Sequence, residues 1–376
     1  MRKIGVKTLR ILLAGGGTAG HINPALAIAG YAKEMDKDTE ILFVGTKKGL
    51  ESSLVPQAGY DIKYIKVEGL SKKLTFENFK SLIHMLSAKS KCKKIIRDFK
   101  PDIVIGTGGY VCAPAVMAAN SMNIPTLIHE QNVFPGSAIK HLSAKSSVTA
   151  ISFEESRKYL TGAKELLFTG NPIRPSILKC KRENAREKFN LGNEKMILIF
   201  GGSLGAEALN RVSLEYMSDI GEKVDTRILF ATGQRNYEQC MAKAKELGID
   251  KKEGISIVPY IHNMDEAMNA ADVCVCRSGA ITVSELCALS KPAILVPSPN
   301  VTNNHQEYNA RALSDNGAAI TILEKDFNKD SLKSALESIL SDDEKAAEMQ
   351  NNSKKISSVN ALDIIYIRMK ELTDTK

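Results

Sequence analysis

The feature that most constrains the fold of this chain is a pattern of strand, glycine-rich turn and helix that occurs twice. The first copy begins at Leu9 and reads LRILLA, GGGTAGH and INPALAIAGYA; the second begins at Lys195 and reads KMILIF, GGSLGA and EALNRVSLEYM. A strand that leads through glycines into a helix is typical of the first βα unit of a doubly wound parallel sheet. The repeat therefore predicts two doubly wound α/β domains.

The rest of the chain supports this interpretation, because short apolar runs bounded by glycine alternate with longer helical patterns. The predicted strands are residues 9–14, 41–44, 103–105, 126–128, 196–200, 227–231, 255–258, 273–275 and 293–296. A break in periodicity at Thr169-Gly170-Asn171-Pro172 predicts a first domain over residues 1–168 and a second over 169–353. A capping box at Ser341-Asp342-Asp343-Glu344 predicts a helix through about residue 353, and helical spacing returns over residues 361–372.

The composition excludes several classes of protein. The chain has 376 residues, of which 43% are hydrophobic and 25% charged, so it is globular and long enough for two domains. Its seven cysteines are too irregular for a disulfide scaffold and lack zinc-ligand spacing, so we expect a reducing cytoplasm. The longest stretch without Asp, Glu, Lys or Arg, residues 103–129, is broken by glycine and proline and predicts no membrane span. The apolar run near the start is too short for a signal peptide.

The net charge of +8 is concentrated in one segment. Residues 63–100 hold eleven Lys and Arg against three acids, so the rest of the chain is neutral. If this segment forms a helix, five of its apolar residues fall within an arc of about 120° around the helix axis, and three lysines lie outside that arc. The apolar set is Phe76, Phe79, Leu82, Ile83 and Leu86, and the lysines are Lys73, Lys80 and Lys91. This pattern predicts attachment to an anionic membrane surface through residues 70–100; the alternative is a helix that buries its stripe against a sheet. No nucleic-acid partner is predicted.

Each glycine turn also matches a motif of another enzyme class. Residues 15–20 satisfy GxGxxG, but a nicotinamide site also needs an acid after the second strand, which instead ends in Gly45-Thr46-Lys47. Residues 201–205 match the GxSxG of α/β-hydrolases, and Glu285 and His305 are nominal triad partners. A hydrolase leaves the first glycine turn unexplained, so we interpret both turns as phosphate-binding, with the Ser203 hydroxyl contributing.

Polar residues cluster where predicted strands end, which is where α/β sheets bind ligands. One cluster is His129-Glu130-Gln131-Asn132 and another is Asn304-His305-Gln306-Glu307. In a third, Ser278 through Thr282 present amides near a helix N-terminus, and Glu285 follows one turn later. Glu285 is placed to accept hydrogen bonds from ribose hydroxyls, or alternatively to complement the helix dipole. Asp36-Lys37-Asp38 is interpreted as a solvated turn, so no metal and no cofactor are predicted. The clusters together predict a cleft between the domains.

These residues are similar to those of a known family, and the chain resembles the MurG family of bacterial N-acetylglucosaminyltransferases over nearly its whole length. The motifs that carry the resemblance, in chain order, are GGGTAGHINPALAIA from Gly15, GTGGYVCAP from Gly106, HEQN from His129, TGNPIR from Thr169, GGSLGA from Gly201, CRSGAITVSE from Cys276 and NNHQEYNA from Asn303. Their combination is specific, although single glycine turns are not.

The resemblance implies a GT-B fold: two Rossmann-like parallel-sheet domains facing across a cleft, with an N-terminal acceptor domain and a C-terminal domain that holds UDP-N-acetylglucosamine. It also implies that a last helix, within residues 354–376, returns to the first domain. Carried over position by position, the implied donor contacts are Thr18, Ala19, Gly20 and Asn132 at the sugar; Arg174 and Ser203 at the diphosphate; Ile261 beside uracil; amides of Ala280, Ile281 and Thr282, with Val283 and Ser284 adjoining; Glu285 at the ribose; and Gln306 at the sugar hydroxyls. Ala19 stands where the family usually has glycine, so it requires an ordinary backbone angle there.

The expected reaction is an inverting transfer of N-acetylglucosamine to the C4 hydroxyl of lipid I, the undecaprenyl-pyrophosphoryl-N-acetylmuramoyl-pentapeptide, which gives lipid II at the cytoplasmic face of the cell membrane. His21, directly after the first glycine turn, is predicted to be the general base, with Glu130 as the alternative. Two other functions stay open at this point: a UDP-N-acetylglucosamine 2-epimerase on the same fold, and a nucleotide-sugar-binding membrane adaptor without turnover.

Overall fold

The computed structural model describes residues 8–67, 76–202, 205–220 and 226–374, with the backbone alone for residues 76–83. The chain divides into two compact units, each an α/β domain. The first domain comprises Met1–Ile173 together with Val359–Lys376, and the second comprises Arg174–Ser358. The predicted fold of two doubly wound parallel-sheet domains is confirmed.

The first domain is built on a parallel sheet with the strand order β3-β2-β1-β4-β5-β6-β7. Its strands are β1 (Arg10–Gly15), β2 (Glu40–Gly45), β3 (Asp61–Tyr64), β4 (Ile103–Gly108), β5 (Thr126–Glu130), β6 (Val148–Ile151) and β7 (Leu166–Phe168). The helices that follow these strands are α1 (Ala19–Met35), α2 (Glu51–Gln57), α3 (Phe76–Phe99), α4 (Cys112–Asn120) and α5 (Ser137–Ser143). The central strands β1, β4 and β5 are buried on both faces, as strands covered by helices on both sides must be.

The second domain repeats this plan with the strand order β10-β9-β8-β11-β12-β13. Its helices are α6 (Pro175–Lys179), α7 (Arg182–Lys188), α8 (Glu207–Asp219), α9 (Tyr237–Glu246), α10 (Met264–Ala270), α11 (Ala280–Ala288), α12 (His305–Ser314), α13 (Lys329–Leu340) and α14 (Asp343–Ile356). Its strands are β8 (Lys195–Phe200), β9 (Thr226–Ala231), β10 (Ile255–Val258), β11 (Val273–Cys276), β12 (Ala293–Leu295) and β13 (Ile320–Thr321).

Each sheet has one point where the strand order reverses. In the first domain it lies between β1 and β4, and in the second between β8 and β11. Helices leave the two neighbouring strands towards opposite faces at such a point, which opens a crevice at the carboxyl ends of the strands. Both predicted glycine turns therefore lie at switch points, since one follows β1 and the other follows β8.

The structure corrects some predicted boundaries. His129 and Glu130 belong to β5 and are buried, whereas the sequence predicted that both lie in a loop after a strand ending at residue 128. The capping residue of α14 is Asp342, whose side chain accepts from the Lys345 amide 2.9 Å away, so the helix starts one residue later than the predicted box. Strands β3, β6, β7 and β13 were not predicted, because each is short and lies near or at a sheet edge.

A last helix, α15 (Ala361–Asp374), belongs to the first domain although it follows the second in sequence. Its buried residues Ile365 and Met369 join the apolar cluster of α1 and the sheet. Polar contacts lie beside this apolar face. The Tyr31 hydroxyl donates to Asp363, and Arg368 forms a two-point ion pair with Glu165, the residue directly before β7. The helix therefore completes the core of the first domain.

We expect Ile365→Ala to lower the free energy of unfolding of the first domain by about 2–5 kcal/mol, since the side chain is fully buried and its loss leaves a cavity. Ile367→Ala on the same helix is the matched control: Ile367 is 57% exposed, so its replacement should change stability by less than about 0.5 kcal/mol. Chemical denaturation of the two variants measures both effects. Equal destabilisation by the two substitutions would contradict the docking of α15 through its Ile365 face.

Candidate functional site

The glycine turn after β1 closely approaches the turn after β4. Gly17 has a φ of +86° and Gly109 a φ of +76°, a region that favours glycine. A Cβ built on Gly109 would lie 2.1 Å from the carbonyl oxygen of Gly16, so only a residue without a side chain fits there. The crevice at the first switch point is therefore formed by two backbone segments in contact.

His21 lies in the first turn of α1 and faces this pair of turns. Its Nδ1 is 3.2 Å from the carbonyl oxygen of Gly16 and 3.2 Å from the Thr18 hydroxyl. A carbonyl only accepts, so Nδ1 carries the proton in this contact and the lone pair of a neutral ring lies on Nε2. The Thr107 hydroxyl donates to the carbonyl of His21 at 2.7 Å, which ties the start of α1 to β4. This is the tautomer that a general base acting through Nε2 requires.

The predicted sugar contacts of the first turn stand at the same helix start. Thr18 caps α1 with an extended backbone, and Ala19 is the first helical residue, so the alanine takes the ordinary backbone angle expected of it. Thr18, Ala19 and Gly20 are exposed. The structure thus presents these three residues at an accessible helix N-terminus.

Glu51 is a residue that sequence reasoning missed. Its carboxylate is fully buried beneath the glycine turn. It accepts from the Gly17 amide at 3.1 Å, from the Thr46 amide at 2.9 Å and from the Thr46 hydroxyl at 2.8 Å. In the sequence Glu51 looks like a first-turn glutamate of a helix; only the glycines at positions 45 and 49, which leave space for it, hint at its burial.

The predicted cluster from His129 to Asn132 forms a buried hydrogen-bond network. His129 Nε2 donates to the Gly170 carbonyl at 3.1 Å, and the Gln131 side-chain amide donates to His129 Nδ1 at 2.9 Å and to the Thr107 carbonyl at 2.9 Å. Burial lowers the pKa of His129 to about 4, although its bond to Gly170 opposes the shift. His129 is therefore a neutral residue that connects the ends of neighbouring strands.

Glu130, the alternative base, has both carboxylate oxygens engaged by its own loop. One oxygen accepts from the amide of Asn132 at 2.9 Å and from its side chain at 3.2 Å, and the other accepts from the Gly136 amide at 2.8 Å. Burial raises the pKa of the Glu130 carboxyl, opposed by these hydrogen bonds. These contacts favour a role in shaping the loop that carries Asn132.

In the second domain, α11 begins directly after β11 and its capping residue is Gly279, which provides no side-chain cap. The amides of Ala280, Ile281 and Thr282 are therefore in the first turn, where the helix dipole favours anions. Val283 differs from the prediction: its side chain is buried and its amide donates to the Gly279 carbonyl at 2.9 Å. The predicted amide site is thus confined to the first turn, with Ser284 half-buried beyond it.

Glu285 is buried on the same helix and shares an arginine with a second carboxylate. Arg174 Nε is 3.1 Å from Glu285 Oε1, and its Nη1 is 2.7 Å from Asp265 Oδ1. Burial raises the pKa of the Glu285 carboxyl, and Arg174 opposes the shift. The predicted ribose and diphosphate residues are therefore direct neighbours within one domain, joined by Asp265, which sequence reasoning did not single out.

Gln306 stands where α12 approaches the start of α11. Its side-chain oxygen accepts from the Ser298 amide at 2.9 Å, and its carbonyl accepts from the buried Ser278 hydroxyl at 2.8 Å. Just before it, Asn303 and Asn304 both have left-handed backbone angles, which close the loop tightly ahead of the helix. Gln306 is thereby held beside the segment that provides the amide site.

Two predicted donor residues remain, Ile261 after β10 and Ser203 in the glycine turn after β8. Ile261 is buried after β10, and the glycine turn after β8 approaches β9 closely, since a Cβ on Gly205 would lie 2.2 Å from the Thr232 carbonyl oxygen. Ser203 lies outside the described residues.

Comparisons with known proteins agree with this geometry. Models of the glycosyltransferase family 28 N-terminal and C-terminal domains match residues 11–151 and 196–363. A protein of Acetivibrio thermocellus, named UDP-N-acetylglucosamine--N-acetylmuramyl-(pentapeptide) pyrophosphoryl-undecaprenol N-acetylglucosamine transferase, is 46% identical over 98% of this chain and 99% of its own length. A relative of the same name from Thermoanaerobacter sp. is 43% identical over 97% of this chain and 100% of its own length. The crystal structure of Acinetobacter baumannii MurG is 28% identical, covers 97% of this chain and 99% of its own, and superposes with a TM-score of 0.79.

Proposed function

The chain belongs to glycosyltransferase family 28, and we propose that it transfers N-acetylglucosamine from UDP-N-acetylglucosamine to lipid I, forming lipid II for peptidoglycan synthesis. The observation that carries this function is identity of 40–46% along almost the full chain to relatives named for that reaction. The C4 hydroxyl of the N-acetylmuramoyl residue attacks the anomeric carbon with inversion, and UDP departs. Neither the 2-epimerase nor the adaptor is favoured, because these relatives are named as transferases.

We assign the donor site to the second domain. A nucleoside diphosphate needs amide donors for its phosphates and an acceptor for its ribose hydroxyls, and α11 carries both within two turns. The first turn, which follows Gly279, provides the amides, and Glu285 provides the acceptor. Arg174, half-exposed beside Glu285, supplies a cation for the diphosphate, and Gln306 supplies a side-chain amide for the sugar hydroxyls.

We expect Glu285→Ala to weaken UDP binding at least about ten-fold, because hydrogen bonds to a charged acceptor contribute about 1.5–3 kcal/mol and this carboxylate is assigned two of them. Isothermal titration calorimetry measures the change. Asp265→Ala is the matched control, since Asp265 pairs with the same Arg174 but is assigned no ribose contact. If Glu285→Ala bound UDP as tightly as the parent, the carboxylate would serve only the helix dipole.

We assign the general base to His21. Its Nδ1 contact with Gly16 places the lone pair of a neutral ring on Nε2, the atom that would take the proton of the acceptor hydroxyl. Glu130 stays the alternative, although its oxygens already accept from Asn132 and Gly136. His21 is also directly beside the exposed turn that carries Thr18 to Gly20.

In an assay with radiolabelled UDP-N-acetylglucosamine and a lipid I analogue, we expect the parent to yield a disaccharide lipid. Free N-acetylmannosamine would indicate the epimerase, and absence of turnover would indicate the adaptor. His21→Gln should lower kcat by about 10²–10⁴-fold with little change in KM for the donor, since general-base catalysis contributes that much.

The pH profile of kcat/KM identifies the base in the same assay. A base at His21 requires an acidic limb that disappears in His21→Gln. His141→Gln, on an exposed helix position of the same domain, is the control and should keep the limb. A limb that survives unchanged in His21→Gln would transfer the role to Glu130.

We assign membrane attachment to the basic segment around α3. The second half of α3 packs on the sheet through Ala88, Cys92, Ile95 and Ile96, whereas Leu86 is 61% exposed and lies outside that buried stripe. Lys91 and Lys94 on this half are exposed. The structure does not describe the side chains of the other residues in the predicted pattern, which are Phe76, Phe79, Lys80, Leu82 and Ile83. Lys72 and Lys73 lie outside the described residues.

Among the described residues, no helix combines the length and hydropathy required to cross a bilayer.

We expect Leu86→Glu to reduce co-sedimentation with anionic vesicles, because it removes apolar area and adds repulsion at the proposed surface. Leu178→Glu is the matched control, since Leu178 is an exposed leucine of the second domain, 42% accessible. Replacing Lys72, Lys73 and Lys80 by glutamine should weaken the free energy of vesicle binding by about 1 kcal/mol for each lysine, and added salt should reduce this effect. If vesicle binding did not change with ionic strength or with these lysine substitutions, the proposed electrostatic contribution to membrane attachment would be wrong.

A further inference from the structure

The peptide group between Gly16 and Gly17 is contacted at both of its polar ends. Its N–H, which belongs to Gly17, donates to Glu51 Oε2 at 3.1 Å. Its carbonyl, which belongs to Gly16, lies 3.2 Å from His21 Nδ1 and accepts from it. A single planar peptide unit therefore joins a buried carboxylate to the imidazole that the proposed function uses.

The surroundings of Glu51 are built to receive a carboxylate. Its three donors are two backbone amides and one hydroxyl, and a carboxylate is an acceptor only. A Cβ on Gly16 would lie 2.8–2.9 Å from the carboxyl atoms, and one on Gly49 would lie 2.2–2.4 Å from them. Two glycines thus leave the space that the buried group fills. Among the described residues no Lys, Arg or His forms an ion pair with it.

The imidazole at the other end of the peptide is also closely packed. A Cβ on Gly108 would lie 2.7 Å from His21 Cδ2, and one on Gly109 would lie 3.2 Å from Nδ1. The same Cβ on Gly108 would lie 3.1 Å from Nε2, so both edges of the ring pack against the turn after β4. The ring is oriented by this glycine pair, by the Gly16 carbonyl and by the Thr18 hydroxyl, which lies 3.2 Å from Nδ1.

We propose that Glu51 is a positioning residue for the transfer reaction, acting on His21 through the Gly16–Gly17 peptide. An N–H that donates to a carboxylate polarises its peptide, so the carbonyl at the other end becomes a stronger acceptor for the Nδ1 proton. This favours the Nδ1–H tautomer, in which the lone pair of the neutral ring is on Nε2, the atom that the proposal assigns to the acceptor proton. The arrangement resembles the carboxylate–imidazole pair of a catalytic triad, with one peptide group inserted between the two members.

The proposal rests on His21 being the base, and the chemical step it supports is balanced. The acceptor O–H bond breaks and its proton forms a new bond to Nε2, while the hydroxyl oxygen bonds to the anomeric carbon and the bond from that carbon to UDP breaks. The imidazolium that results is stabilised by the carboxylate charge behind the peptide.

The first test is independent of turnover. Protein labelled with ¹⁵N in its histidines reports the protonated nitrogen of each ring by NMR, and the signal lost in His21→Gln identifies His21. We expect the Nδ1–H tautomer in the parent, and a shift towards the Nε2–H tautomer in Glu51→Gln. A parent His21 that is mainly Nε2–H would overturn the relay, even if His21 proves to be the base.

The second test is a double-mutant cycle on kcat. Glu51→Gln should lower kcat at least about ten-fold, as losing a partner that orients an imidazole typically does, with little change in KM for the donor. In the His21→Gln background the same substitution should lower kcat less than about two-fold, because the two residues act as one unit. An equal loss in both backgrounds would show a structural role only and would overturn the proposal.

Thr46→Val is the matched control, because it removes the hydroxyl contact at Oε1 and keeps the Gly17 contact at Oε2. It should keep the His21 tautomer and lose less than about two-fold in kcat. If His21→Gln retained full kcat, the assignment of the base would fail, and the NMR measurement would still decide whether Glu51 sets the tautomer.

Discussion

Close contact between backbone segments at the carboxyl ends of neighbouring strands is the constraint on which the proposed sites of this protein depend. In the first domain the turns after β1 and β4 approach to a distance that no Cβ permits, as Gly109 against the Gly16 carbonyl shows. In the second domain Gly205 approaches the Thr232 carbonyl in the same way. Because these positions lack side chains, the backbones of neighbouring strand ends come close together at the edge where doubly wound sheets generally bind ligands.

The two domains use this shared plan for different chemistry. In the first domain the polar groups under the turns are buried acceptors and an imidazole, arranged to orient one another. In the second, the amide donors of α11 precede a buried carboxylate that shares Arg174 with Asp265. The first arrangement suits handling a proton, and the second suits holding a nucleoside diphosphate. That division matches a transfer reaction, in which acceptor activation and donor binding are separate tasks.

Much of this was predictable from the sequence, because the strands that carry the sites are largely apolar, and β1, β4 and β8 end in glycine or are followed directly by it. The strands near the sheet edges that escaped prediction have only two to four residues each. In β3 (Asp61–Tyr64) polar and apolar residues also alternate, so that no apolar run marks the strand. The motifs placed the site residues near strand ends, yet the hydrogen bond of buried His129 depends on Gly170, 41 positions away. The engagement of Glu130 depends on the shape of its own loop, which brings Asn132 and Gly136 to its carboxylate. Glu51 was missed for a similar reason: its partner Gly17 lies 34 positions away, and the only local signs of its burial are the glycines at positions 45 and 49.

The docking of α15 has a consequence for how the chain is made. The first domain is discontinuous, since its core includes Ile365 and Met369 from the far end of the chain, whereas the second domain is one continuous stretch from Arg174 to Ser358. During synthesis from the N-terminus, domains generally fold as units. The second domain can therefore complete its core first, whereas the first domain lacks the residues that cover part of α1 until α15 has been synthesised. The core of the first domain can thus be completed only after that of the second, although its sheet is synthesised first.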